Sequence, residues 1–203
     1  MEPSRARYDV AVVGGGAIGW SCAWRAAQRG LSVLVCDPSP GTGASWVAAG
    51  MLAPVTELHP GEEPLLRLGL EAARRYPRFV AELTAAAGTD PGAGPGVGHR
   101  TSGTLAVALD RGDLAVLDEA LDLQRSLGLA ARRLTGSEVR RLEPVLTPQI
   151  GGGLLVEGDH QVDNRRLLAA LRPAAARTGA EVLAERVGVR VDGGRAVGVV
   201  RPG

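Results

Sequence analysis

Within the first 37 residues the apolar positions switch from a strand-like run to a helical stretch and back again. Asp9-Val10-Ala11-Val12-Val13 is a near-continuous apolar run closed by the glycines at 14–16, and it predicts a buried parallel strand. Trp20 to Arg29 contains neither glycine nor proline and is rich in alanine, so it predicts a helix that Gly30 ends as a C-terminal cap. Leu31 to Cys36 is a second apolar run, a second strand ending at Asp37. Farther on, a helix is predicted over 62–87, kinked or split by Pro77. A glycine- and proline-rich loop over 88–98 is too flexible to serve as a catalytic platform, and a strand over 101–109 follows it. A helix over 113–127 has Asp113 near its start and Gly128 at its end. A short strand then holds Arg132 and Arg133, and a brief helix runs from Thr135-Gly136-Ser137-Glu138 to Leu142. Asp163 caps a helix that Gly179 closes, and a strand over 181–184 leads to a hairpin over 187–200 turned at Asp192-Gly193-Gly194.

The first strand–turn–helix carries Gly14-Gly15-Gly16-Ala17-Ile18-Gly19, a G-x-G-x-x-G in the place where it has a physical task. Gly14 permits the tight turn, Gly16 lets backbone approach a pyrophosphate, and Gly19 lets helix and strand lie close. The free N–H groups of the helix start carry partial positive charge and suit a dinucleotide's phosphates. Asp37 lies 18 residues beyond Gly19, where a carboxylate binds ribose hydroxyls and disfavours the 2′-phosphate of NADP. The plain alternative is a glycine-rich turn of some other α/β protein. Gly151-Gly152-Gly153 precedes a strand over 153–157 instead of opening a helix, so it reads as a turn and not as a second phosphate loop.

Composition narrows the chemistry. The 203 residues carry a formal net charge of +1, which gives no reason to expect nucleic acid or a membrane surface as partner. All 23 basic residues are arginine, so a lysine Schiff base and a Walker-type loop are excluded. Cys22 and Cys36 form no C-x-x-C pair and are expected to be small buried hydrophobes in a reducing compartment. His59, His99 and His160 are scattered without a ligand set, so no metal is expected. The N-terminus lacks a signal-peptide core and no run approaches membrane-spanning length, so the protein is expected to be cytoplasmic.

The segment after Asp37 makes the picture specific. Gly43-Ala44-Ser45 and Ala48-Ala49-Gly50-Met51-Leu52, together with the glycine turn, resemble the D-amino-acid-oxidase superfamily of FAD-dependent amine oxidases, and within it the glycine oxidase family of thiamine biosynthesis. The resemblance implies FAD as cofactor. It places Ala17 and Ile18 at the pyrophosphate, Asp37 and Pro38 at the ribose, and Ala44 and Ser45 beside the phosphates. Ala49, Gly50 and Met51 would run along the flavin ring, and a backbone group at Val187, with Gly188 as competitor, would meet the adenine. Gly158-Asp159-His160-Gln161-Val162-Asp163 also resembles this family, which has proline where this chain has Asn164.

The implied architecture is α/β: a Rossmann-like FAD-binding βαβ domain with an inserted α+β substrate domain, truncated. Residues 1–56 would be the first part of the FAD-binding domain, 57–154 the first part of the substrate domain, and 155–203 the return to the FAD-binding domain. The family's substrate-carboxylate arginine, its neighbouring tyrosine and a C-terminal glycine motif would lie beyond Gly203. No residue of this half is therefore expected to be catalytic, and the chain alone is expected to be inactive. The implied reaction is oxidative deamination of glycine or a small amino acid, with oxygen as co-substrate and hydrogen peroxide as product. A sarcosine-type or other amine oxidase or dehydrogenase is the alternative enzyme, and a non-catalytic truncated FAD-binding fragment is the alternative from another class. A homo-oligomer of the full-length protein stays open.

Overall fold

The computed structural model describes residues 7–88 and 96–201, so most of the loop expected over 88–98 lies outside the described residues. The chain forms two compact units, one drawn from residues 1–49, 80–98 and 163–203, the other from 50–79 and 99–162.

In the first unit β1 (Val10–Val13), β2 (Val33–Cys36) and β8 (Glu181–Leu183) form a parallel sheet in the order β1-β2-β8. Helix α1 (Ala17–Ala27) connects β1 to β2 and buries Trp20, Ala23, Trp24 and Ala27. It packs against α6 (Asn164–Arg177), which buries Leu167, Leu168, Leu171, Ala174 and Ala175. As predicted, Asp163 caps α6 by accepting from the N–H groups of Arg165 and Arg166. Glycines in the left-handed region follow both helices, at Gly30 (φ +80°) and Gly179 (φ +99°). Hairpin strands β9 (Gly188–Asp192) and β10 (Arg195–Val200) complete the unit, turned at Gly193 and Gly194 as read.

Two expectations fail here. β1 is parallel but not buried: Ala11 and Val13 are exposed. It pairs with β2 on one edge, no described strand pairs with its other edge, and α1 covers only the Val12 side. Cys22 is exposed because it falls on the outer side of α1, whereas Cys36 is buried in the sheet; both thiols are free.

In the second unit β4 (Thr104–Ala108), β6 (Gly152–Val156) and β5 (Arg132–Thr135) form an antiparallel sheet with β6 in the middle. Gly152 and Gly153 are strand residues, not a turn. A Cβ on Gly153 would lie 2.8 Å from both the Ala106 carbonyl oxygen and Val139 Cγ2, so the crowded centre of the sheet requires glycine. Helices α4 (Arg111–Ser126) and α5 (Gly136–Leu142) pack on this sheet. The core at its centre is Leu134, Val139, Ile150 and Leu155. Asp110, not Asp113, caps α4, and Thr135 with Glu138 forms a reciprocal capping box on α5. Helix α3 (Glu63–Ala87) runs on through Pro77 as one helix, and its residues belong to both units. The proline costs one backbone hydrogen bond without ending the helix. Arg177 donates to the Ala86 and Ala87 carbonyls at the end of α3. β3 (Met51–Leu52) and β7 (His160–Gln161) form a short antiparallel ribbon, described below.

Candidate functional site

The glycine turn is held by hydrogen bonds from its backbone N–H groups to two other segments of the first unit, Cys36–Asp37 and Ser45. Gly14 has φ +110°, a conformation open to glycine, and its N–H donates to the Cys36 carbonyl at 2.9 Å. The Gly15 N–H donates to Asp37 Oδ2 at 2.7 Å, and the Ala17 N–H donates to Ser45 Oγ at 2.9 Å. A Cβ on Gly16 would lie 2.9 Å from that same Ser45 hydroxyl. A Cβ on Gly19 would collide with the Gly14 carbonyl oxygen and stand 3.2 Å from Val12 Cγ1, which is the close helix–strand approach expected of the third glycine.

The other expected residues of this unit fall around the turn. The second oxygen of Asp37 accepts from the Ser39 N–H at 2.7 Å, so its carboxylate holds two backbone groups at the end of β2. Pro38 follows it, exposed. Ala44 and Ser45 open the four-residue helix α2 (Ala44–Val47). Asn164, at the first position of α6, donates from Nδ2 to the carbonyls of Ser45 (2.6 Å) and Trp46 (3.0 Å). Asn164 thus supplies a side-chain tether at the start of α6. Val187 is half-buried in the link between β8 and β9 and takes no part in this network. Cys36 is no nucleophile, since burial raises its thiol above the ordinary range.

Ala49 ends one segment of the first unit, and Gly50 and Met51 begin the second unit. Gly50 has φ +79°, and its carbonyl accepts from the Val162 N–H at 2.8 Å. Met51 stands opposite Gln161 and is 53 % exposed. Sequence reasoning missed Asp159, which is fully buried and accepts from the N–H of Val55 (3.2 Å), the N–H of Thr56 (2.7 Å) and the Thr56 hydroxyl (2.5 Å). Only its place in the Gly158–Asp163 motif could have signalled it. Tyr76, His99 and His160 form an aromatic row with centroid spacings of 5.5 and 5.2 Å. Burial pushes the Tyr76 phenol up to about 12, which removes it as a base near neutral pH. Desolvation, then the neighbouring His160, lowers the His99 imidazole.

The turn fits a dinucleotide. The N–H groups of Gly16, Ile18 and Gly19 make no hydrogen bond to the described residues, and the first turn of α1 holds no acidic side chain. Ile18 is 81 % exposed beside them. A pyrophosphate would find unpaired donors and the positive end of an 11-residue helix there. Among the described residues no group of three or more His, Cys, Asp or Glu is placed to hold a metal, and no helix is long and apolar enough to cross a membrane.

This geometry defines a nucleotide-binding βαβ unit of the kind used by flavin-dependent oxidoreductases. The FAD-dependent oxidoreductase (DAO) family matches residues 9–203, and the chain belongs to it; its cofactor is FAD. Among its relatives is the glycine oxidase of Geobacillus kaustophilus (strain HTA426), 34% identical over 86% of this chain and 45% of its own length. The crystal structure of glycine oxidase from Geobacillus kaustophilus superposes with a TM-score of 0.81 at 33% identity, covering 90% of this chain and 48% of that one. The bifunctional protein ThiO/ThiG of Synechocystis sp. is 34% identical over 86% of this chain and 24% of its own. The putative thiamine biosynthesis oxidoreductase ThiO of Rhizobium etli is 34% identical over 80% of this chain and 44% of its own. The chain spans less than half the length of these curated relatives.

Proposed function

We propose that the full-length protein oxidises glycine or another small amino acid to the imino acid, forms hydrogen peroxide from oxygen, and serves thiazole formation in thiamine biosynthesis in the cytoplasm. The observation that carries this reading is the conjunction of the glycine turn, its unpaired N–H donors and Asp37 with the Ala49-Gly50-Met51 segment, in a chain 34% identical to a glycine oxidase. The names of the ThiO relatives support the thiamine assignment.

When bound, FAD supplies a hydride acceptor for the substrate Cα–H and a route for the electron pair to oxygen. The chain's own residues bind and orient. In this reading Gly14, Gly16, Ala17, Ile18 and Gly19 hold the pyrophosphate through backbone N–H groups, aided by Ala44 and Ser45. Asp37 and Pro38 meet the ribose, and the backbone at Val187 meets the adenine. Ala49, Gly50 and Met51 line the flavin, where small residues admit backbone and the Met51 thioether fills the remaining space. Residues 1–56 and 155–203 then act as FAD-binding parts, with 57–154 beginning the substrate domain. The test is direct. Purified full-length protein should be yellow, release FAD on denaturation and produce peroxide with glycine. A colourless protein that binds NAD overturns the proposal.

A further inference from the structure

A cavity of about 240 Å³ lies within the first unit, bounded by residues 40–46, by α6 and by Trp20 of α1. Its walls are fixed by contacts inside the protein. Gly41 turns the chain with φ +85°, and a Cβ there would lie 3.9 Å from Leu168 Cδ1, so this loop passes over α6 at van der Waals distance. The Asn164 amide holds the Trp46 carbonyl at 3.0 Å, and the Arg165 guanidinium lies 4.7 Å from the centroid of the Trp46 indole. Two indoles and two guanidinium groups line the cavity, and no carboxylate does. Trp20 is 1 % exposed and Trp46 46 %, so one indole is a buried wall and the other an open rim. The Trp20 side chain makes no hydrogen bond among the described residues, which leaves its N–H without an acceptor. Arg172 follows Arg165 by about two helical turns and so falls on the same face of α6. Arg166 is paired with the capping Asp163, whereas Arg172 has no ion pair or side-chain hydrogen bond among the described residues, and α6 itself carries no acidic side chain.

The geometry points to a second binding site, one that takes a small aromatic anion: a single ring bearing an anionic group. The flat surfaces of Trp46 and Arg165 receive a ring by stacking, Arg172 supplies an unpaired cation for its charge, and the Trp20 N–H offers one more donor. The size agrees, since drug-sized ligands need about 300 Å³ or more and this cavity is smaller. None of the residues assigned to FAD lines it, nor does any open donor of the glycine turn, so the site stands or falls apart from the proposed reaction.

The experiment is a calorimetric titration of full-length holoprotein with phenyl phosphate. Wild type should bind it saturably and about ten-fold more tightly than inorganic phosphate or phenol, because ring and charge are met together. Arg172→Gln should weaken phenyl phosphate about ten-fold or more, and Arg172→Lys less, since lysine keeps the charge and loses the fork. Trp46→Ala should weaken it by a similar factor. Flavin content and the thermal melt of Arg172→Gln should stay at wild-type values, because the side chain is exposed and unpaired, so this variant decides the matter even if Trp46→Ala does not fold. Saturating glycine should leave the binding unchanged. The inference is overturned if phenyl phosphate does not saturate or if Arg172→Gln binds it as wild type does. It is overturned equally if inorganic phosphate binds as tightly, which would reduce the arginines to a solvated anion patch. Displacement of phenyl phosphate by glycine, or release of FAD as it binds, would place it in the substrate or cofactor site and overturn the inference as well.

Discussion

Replacing Asp37 by alanine separates two tasks that the cofactor reading assigns to one carboxylate. In the folded chain Asp37 accepts from the Gly15 N–H and from the Ser39 N–H, both at 2.7 Å. The first bond is partly buried and charge-assisted, which makes it worth about 1.5–3 kcal/mol; the exposed second bond adds about 0.5–1.5 kcal/mol. Asp37→Ala should therefore lower the stability of the flavin-free protein by about 2–4 kcal/mol. Loss of a further charge-assisted bond to ribose should weaken FAD roughly ten- to a hundred-fold, at about 1.4 kcal/mol per decade. Asp37→Asn keeps one acceptor oxygen but turns an NH2 group toward the other N–H, so its melt should fall between wild type and Asp37→Ala. The assays are a thermal melt of apoprotein and an FAD titration by fluorescence quenching. A lowered melt with unchanged FAD affinity would refute the ribose assignment and leave Asp37 as a tether of the glycine turn. If neither value moved, the bonds to Gly15 and Ser39 would carry no weight in solution.

Four further outcomes are expected. Asn164→Pro should keep α6, since proline suits a first helical position, yet lose the bonds to the Ser45 and Trp46 carbonyls, lowering the melt by about 1–2 kcal/mol on a urea curve. Gly50→Val places a β-branched residue at φ +79°, at a strain of about 1–3 kcal/mol, and should lower flavin content or glycine-dependent peroxide while the secondary structure by circular dichroism is kept. Asp159→Ala removes the acceptor of three donors from a buried position and should cost about 3 kcal/mol or more in urea unfolding. The lowered His99 pKa means that the folded state resists protonation; its share of stability is full above about 6.5 and is lost as the pH falls below that value. His99→Gln should flatten the fall in melting temperature between about pH 7 and 5.

Much of the fold was legible because it rests on local chemistry. The βαβ unit announced itself through the change of apolar period and through Gly14 and Gly30, whose positive φ needs no tertiary context. Asp163, the Thr135–Glu138 capping box and the Gly193-Gly194 turn are likewise decided within a few residues of themselves. What was hidden depends on partners distant in sequence. An apolar run cannot tell how many of its edges are paired, so the exposure of β1 was invisible. Gly152 and Gly153 look like a turn until β4 and β5 close on either side of them. Asp159 looks like one more polar loop residue until Val55 and Thr56, more than 100 positions away, turn their donors to it.

The candidate site lies between these two extremes. Its glycines are local, but the groups that hold them in place are not. The Gly15 N–H is bound 22 residues on by Asp37, the Ala17 N–H 28 residues on by Ser45, and Ser45 is itself held by Asn164, 119 residues away. Each tether ends on backbone, so the turn's shape is set by atoms that every residue has, while its tethers are specific side chains. This division explains how the motif can be read from glycines alone while its rigidity cannot. It also explains the N–H pattern: the tethers occupy Gly15 and Ala17 and leave Gly16, Ile18 and Gly19 without a bond among the described residues. In the proposed reading, the tethers hold the turn in shape before any phosphate arrives, and a bound pyrophosphate would meet the open donors without the cost of first ordering the loop.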